Sequence, residues 1–112
     1  MNVKAYKNLV LKPDPKNKRE TDKEYLKFVR QHSCLCGVGC MGRVEAHHTI
    51  TRGAGGSDYK ALPLCVKHHA DVDNLGIDTF QDRYFMDFDK EIIRLLIEYI
   101  KEGRNGKEIY NN

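Results

Sequence analysis

Apolar residues recur at helical spacing in three parts of this chain, and a weak alternation separates the first from the rest. Tyr25, Leu26, Phe28 and Val29 supply one buried side behind Thr21-Asp-Lys-Glu24, a capping box whose hydroxyl and carboxylate satisfy orphan N–H groups. A helix is expected from there to about Gln31. Residues 33–42 read as a Gly/Cys loop, Arg43–Ile50 as a strand, Gly53–Asp58 as a turn, and Tyr59–Leu64 as a second strand. Residues 66–74 read as a helix. A second capping box, Asp78-Thr-Phe-Gln81, opens a short helix with Phe80 and Tyr84 four apart. The strongest helix is predicted over 89–102, with Ile92, Ile93, Leu96, Ile97 and Ile100 as its apolar stripe and Gly103 at the stop position. That stripe faces the core, with a dimer contact as the lesser alternative.

With 112 residues, 40% of them apolar, the chain makes one domain with a modest core, and a bound metal would help it fold. No repeat or second domain is visible. No stretch approaches ~18 uncharged apolar residues and no charged-then-apolar leader opens the chain, so membrane span and secretion are not expected and a cytoplasmic location is. The net charge of +3 is uneven: residues 1–33 carry nine Lys/Arg against four Asp/Glu, whereas 77–112 carry six against eight. Residues 1–20, with Pro13, Pro15 and a short Leu9–Leu11 patch, form an extended basic arm ahead of a domain over 21–112. Such an arm suits a polyanion, because neutralised phosphates release counterions, although a solvated terminus has the same composition.

All four cysteines and four of the five histidines fall between residues 34 and 73. Interleaved histidines and the missing leader favour metal over two disulfides. The two-residue gap in Cys65-x-x-His68 lets both side chains of a turn entering a helix reach one ion. Cys36 and Cys40 are the chosen upstream pair, because Gly37 and Gly39 let the loop curl, with Cys34 in reserve. Three sulfurs and an imidazole make a closed, structural zinc site, whereas any one cysteine alone would pass for a small buried hydrophobe.

A second set is harder. His69 and Asp73, four apart on a helix, lie on one face, while His68 diverges from His69 by about 100° and can serve the other metal. His47 and His48 are neighbours on a strand and leave opposite faces, so one can join His69 and Asp73 while the other stays free to accept a proton. Singly, these would pass for a satisfied core histidine or a solvated helix charge.

Strand, loop, strand and helix, with histidines ending the first strand and starting the helix, resemble the HNH (ββα-metal) endonucleases. Residues from Tyr25 to Tyr84 are similar to small phage and prophage nucleases of the Ref and YbcO type. The matching stretches are Tyr25-Leu-Lys-Phe-Val-Arg30, Val44-Glu-Ala-His47-His48, Gly56-Ser-Asp-Tyr59, Pro63-Leu-Cys65-x-x-His68-His69, and Gly76 through Phe80. The resemblance implies an α+β fold: a zinc-stabilised ββα-metal motif over about 34–76, flanked by an N-terminal helix and C-terminal helices within 78–103. It makes His48 the general base, and His47, His69 and Asp73 the ligands of a catalytic Mg²⁺ or Mn²⁺. The family's asparagine falls near Lys60, so Asp58 or Ser57 is the expected brace for the loop. The implied activity is hydrolysis of DNA phosphodiesters with little sequence preference, associated with phage or prophage recombination in a bacterial or infected host cell. DNA, single- or double-stranded, is the expected partner, with a recombination protein as a second candidate and a monomer or weak dimer as the assembly. Arg43, Arg52, Lys60, Lys67 and the N-terminal lysines would hold flanking phosphates.

Two other classes compete. A non-catalytic zinc-stabilised nucleic-acid-binding module would bind DNA or RNA without regard to Mg²⁺ and survive loss of His48. A small adaptor using the 92–100 stripe would show no salt-sensitive nucleic-acid binding. A purely structural site has no use for a second ligand set, which weighs against both.

Overall fold

The computed structural model describes the backbone of residues 19–111 and the side chains of residues 19–103. Six elements follow one another: α1 (Lys23–Arg30), β1 (Val44–His48), β2 (Ala61–Cys65), α2 (Val66–Leu75), α3 (Ile77–Arg83) and α4 (Phe88–Asn111), with short 3-10 turns at Arg52–Ala54 and Asp58–Lys60. The described residues therefore form a small α+β protein with a two-stranded sheet and four helices. Among them no helix is long and apolar enough to cross a membrane. Residues 1–18 of the expected arm lie outside the described residues.

The strands pair antiparallel, with Val44 opposite Cys65 and His48 opposite Ala61. Every residue of β2 is buried, so the strand lies inside the core and delivers its last residue, Cys65, directly into the first turn of α2. Helix α1 packs on both strands and α4 covers β2. Tyr25, Val29, Leu62, Leu64, Phe80 and Leu95 are fully enclosed between them. The Tyr99 ring sits 5.0 Å from both Tyr25 and Phe28, which ties α4 to α1.

Three local expectations shift. The cap of α1 is Asp22 rather than Thr21, because the Asp22 carboxylate accepts the Tyr25 N–H at 2.9 Å. Helix α3 has Gly76 at its cap with no side-chain bond; Gln81 instead turns its carbonyl to the Phe88 N–H at 2.7 Å, joining α3 to α4. Helix α4 runs through Gly103, and its buried line is Phe88, Ile92 and Leu95, whereas Ile93, Ile97 and Ile100 are about half exposed. The rotation follows from Tyr99, whose aromatic contacts with α1 select the face that turns inward.

The 49–60 connection is tight. An added Cβ on Gly56 would overlap the Ile50 carbonyl, so only glycine lets the chain cross itself there. Gly42, at φ +84°, lies against Val66 and leaves Met41 and Arg43 with carbonyls that accept the Lys67 and Val66 N–H groups at the start of α2. Phe80 stacks near Tyr84 and Phe88 with no exposure. Phe80→Ala should cost about 3–5 kcal/mol, the usual toll for emptying a closed aromatic site, read from denaturant melts of the metal-loaded protein.

Candidate metal centres

Two groups of ligand atoms, each within 4.8 Å of one another, lie on either side of the β2–α2 junction: Cys34, Cys40, Cys65 and His68, and separately His47, His69 and Asp73. In the first group, Cys65 precedes α2 and its sulfur accepts the His68 N–H at 3.4 Å, which fixes the turn. The His68 ring, fully buried beneath Tyr84, turns Nδ1 toward Cys65 Sγ (3.1 Å) and Cys34 Sγ (3.5 Å). All four cysteines are free thiols. Burial opposes ionisation of Cys65. The N–H groups of His68 and Met41, with the His68 ring and the Cys34 side chain, outweigh it and hold the thiol at about 6, favouring the thiolate a metal needs.

The structure corrects the choice of cysteine. Cys34, not Cys36, completes this group. The Leu35 N–H is bonded to the Pro63 carbonyl at 3.0 Å, which lashes Cys34 to β2 beside Cys65, and the Gly37 N–H closes a turn onto the Cys34 carbonyl. Cys36 lies outside the cluster, and burial, followed by the charge of Cys34, pushes its thiol up to about 12. Gly37 and Gly39 do take positive φ, but they curl the chain between Cys34 and Cys40. The four-residue set can hold a metal such as zinc, since three sulfurs and one imidazole match a closed tetrahedral centre.

The second group joins the end of β1 to one face of α2. His47 and His69 rings are 4.5 Å apart. Burial, then the neighbouring His69 charge, lowers His47 to about 4, so the ring is neutral at physiological pH. Its Nε2 is buried and has no hydrogen-bond partner among the described residues. A buried ring nitrogen without a hydrogen-bond partner, beside a second imidazole and a carboxylate, has the chemistry of an incomplete ligand set. His69 is oriented by Glu45, whose carboxylate accepts Nδ1–H at 2.9 Å and leaves Nε2 for a ligand. Glu45 and His47 stand two apart on β1 and so share a face, a spacing that the sequence itself carries.

His48 diverges from His47 as strand neighbours do. Its Nε2–H donates to Asp58 at 2.7 Å, while the ring still borders the same cleft of about 250 Å³ as His47, His69 and Asp73. A neighbouring cleft of about 340 Å³ shares Ala46, Arg52 and His69 with it and adds Arg30 and Arg43. Arg43 and Arg52 thus lie on one trough with the histidines. Lys60 and Lys67 line neither cleft, and Lys67 leans toward Asp71 at 3.5 Å. Arg30, at the end of α1, is a member the sequence pattern did not single out. A larger cavity of about 540 Å³ borders Cys34 between the loop after α1 and the start of α4 but contains no other member of either group.

A family model described as "Protein of unknown function (DUF968)" matches residues 6–90. The chain belongs to this family. As a DUF968 protein it is similar to "Uncharacterized protein YdfU" of Escherichia coli (strain K12), with 38% identity over 78 residues. The match takes in 62% of this chain but 21% of that protein, so the chain spans about a fifth of its relative's length. Both candidate ligand groups of this DUF968 protein fall inside the matched residues 6–90. No solved structure matches it.

Proposed function

We propose that this protein is a metal-dependent endonuclease of the HNH (ββα-metal) type, hydrolysing DNA phosphodiester bonds with little sequence preference. The observation that carries the reading is the unpartnered, buried Nε2 of His47, facing His69 and Asp73 in a cleft that also holds His48. A closed Cys/His group of the first kind has no need of a second ligand set. The order of two antiparallel strands and a helix supports the same type, with histidines at the end of the first strand and the start of the helix.

His47, His69 and Asp73 would hold the divalent ion, and Mg²⁺ or Mn²⁺ bound there supplies polarisation of the phosphate and stabilisation of the departing 3′-oxygen. His48, outside that set, accepts a proton from the attacking water. Arg43, Arg52 and Arg30 line the trough beside His69 and can contact flanking phosphates without reading bases. Glu45 holds His69 Nδ1 and so leaves Nε2 as the nitrogen that would take the ion. Replacing such a carboxylate usually weakens a metal by about 10–100-fold. Glu45→Ala should therefore raise the Mn²⁺ concentration needed for half-occupancy by that factor, followed as the loss of the free-ion EPR signal.

The deciding assay incubates the zinc-loaded protein with supercoiled plasmid and with single-stranded DNA, with Mg²⁺, with Mn²⁺, and with neither. Cleavage that needs the ion and disappears in His48→Ala is the expected result. Salt-sensitive DNA binding that ignores Mg²⁺, with no cleavage, would mean a zinc-stabilised binding module instead.

A further inference from the structure

Asp58 belongs to neither metal group, yet it is 2% exposed and carries a charge. Burial opposes its ionisation, but hydrogen bonds from the His48 ring, the Asp22 N–H and Arg19 outweigh that and hold its carboxyl down at about 2. The contacts come from three directions. Oδ1 accepts His48 Nε2–H at 2.7 Å and Arg19 Nη1 at 2.6 Å, and Oδ2 accepts the Asp22 N–H at 2.8 Å. The Asp58 N–H returns a bond to the Glu20 carbonyl at 3.0 Å, and Arg19 also reaches the Gly56 carbonyl at 3.3 Å. A carboxylate held this way cannot swing.

An ionised carboxylate only accepts, so the His48 nitrogen facing it must carry the hydrogen. A neutral imidazole has one N–H and one lone pair, which leaves the lone pair on Nδ1. We infer that Asp58, anchored by Arg19, is the positioning residue of this site: it holds His48 in one ring orientation with the hydrogen on Nε2, so that Nδ1 is the atom that accepts a proton. The inference deepens the proposed function and rests on His48 as the base. It also gives the segment before α1 a part in the site, through Arg19 and the Asp22 backbone.

A purely structural Asp58 would merely staple residues 19–22 to the loop. Two readouts on the zinc-loaded full chain separate the roles. In ¹H–¹⁵N spectra near pH 8, the wild type should show a slowly exchanging His48 Nε2–H, assigned by its loss in His48→Ala. Asp58→Ala should lose that protected signal and gain a measurable Nδ1–H fraction. In the cleavage assay, Asp58→Ala should lower kcat by at least about 10-fold while KM stays within about 2-fold, because an oriented base acts in the transition state and not in binding. Arg19→Gln should lower kcat less. If Asp58→Ala does not fold, Asp58→Asn takes its place and is read by kcat alone, because its remaining oxygen can still accept the His48 hydrogen. A protected Nε2–H that persists in folded Asp58→Ala, or unchanged kcat in the folded variant, overturns the inference even if the wild type cuts DNA. A wild type that never cuts overturns the nuclease reading, and the ring N–H signal then decides the Asp58 contact alone.

Discussion

Stripping a metal such as zinc from the group of Cys34, Cys40, Cys65 and His68 is expected to unfold this protein. The buried apolar set is small, and Cys34, Cys40, Cys65 and His68 draw the loop after α1, the glycine loop and the β2–α2 junction onto one point. Structural zinc in small domains contributes about 10–16 kcal/mol at neutral pH, as large as the whole stability of a typical domain, about 5–15 kcal/mol. Excess chelator should therefore collapse the helical circular dichroism signal, and adding Zn²⁺ should restore it. The cysteines divide sharply. Cys34→Ser should lose the metal and the fold, because its sulfur lies within 3.5 Å of His68 Nδ1. Cys36→Ser should keep one zinc per chain by elemental analysis and melt near the wild type. Full helicity in chelator would show that the sulfurs only pack, and metal loss in Cys36→Ser with retention in Cys34→Ser would reverse the ligand choice.

On the proposed nuclease reading, His48→Ala should abolish cleavage while leaving the fold, the metal of the cysteine group and DNA binding intact. A positioned acid–base group contributes about 10²–10⁴-fold, so nicking should fall by that range. His69→Ala should also stop cleavage, for a different reason: it removes a ligand from the set with His47 and Asp73, and higher Mn²⁺ should restore part of the rate. Asp73→Ala should follow His69→Ala in milder form. Metal should not rescue His48→Ala, since proton transfer is what it lacks. Nicking rate against Mn²⁺ concentration for the three variants separates base from ligand. Rescue of His48→Ala by Mn²⁺ would exchange the roles of the adjacent histidines, and undiminished cleavage by it would remove His48 from the chemistry.

Much of the second ligand set was legible because it depends on periodicity. Residues four apart on a helix share a face, which placed His69 with Asp73, and neighbours on a strand diverge, which separated His47 from His48. The Cys65-x-x-His68 gap was legible for the same local reason. The upstream cysteine was not. Flexible glycines between Cys36 and Cys40 described a loop that can curl, but which sulfur arrives depends on the Leu35 N–H bonding to Pro63, a contact across 28 positions of sequence. The α4 stripe was legible only in part: Ile92 and Leu96 face the core, Ile93, Ile97 and Ile100 do not, and packing of Tyr99 against Tyr25 and Phe28 goes with that rotation.

Short-range pattern by itself determined that this chain has two strands, a helix entered through Cys65, and the local halves of two ligand sets, Cys65 with His68 and His69 with Asp73, because each follows from backbone geometry within a few residues. Tertiary structure alone decided which groups hold those ligands in place. Glu45 reaches His69 from the neighbouring strand, and Asp58 reaches His48, Arg19 and the Asp22 backbone across separations of 10 to 39 residues. No local propensity encodes such contacts. They exist because burying a carboxylate is tolerable only where several donors converge, and convergence is a property of the folded chain.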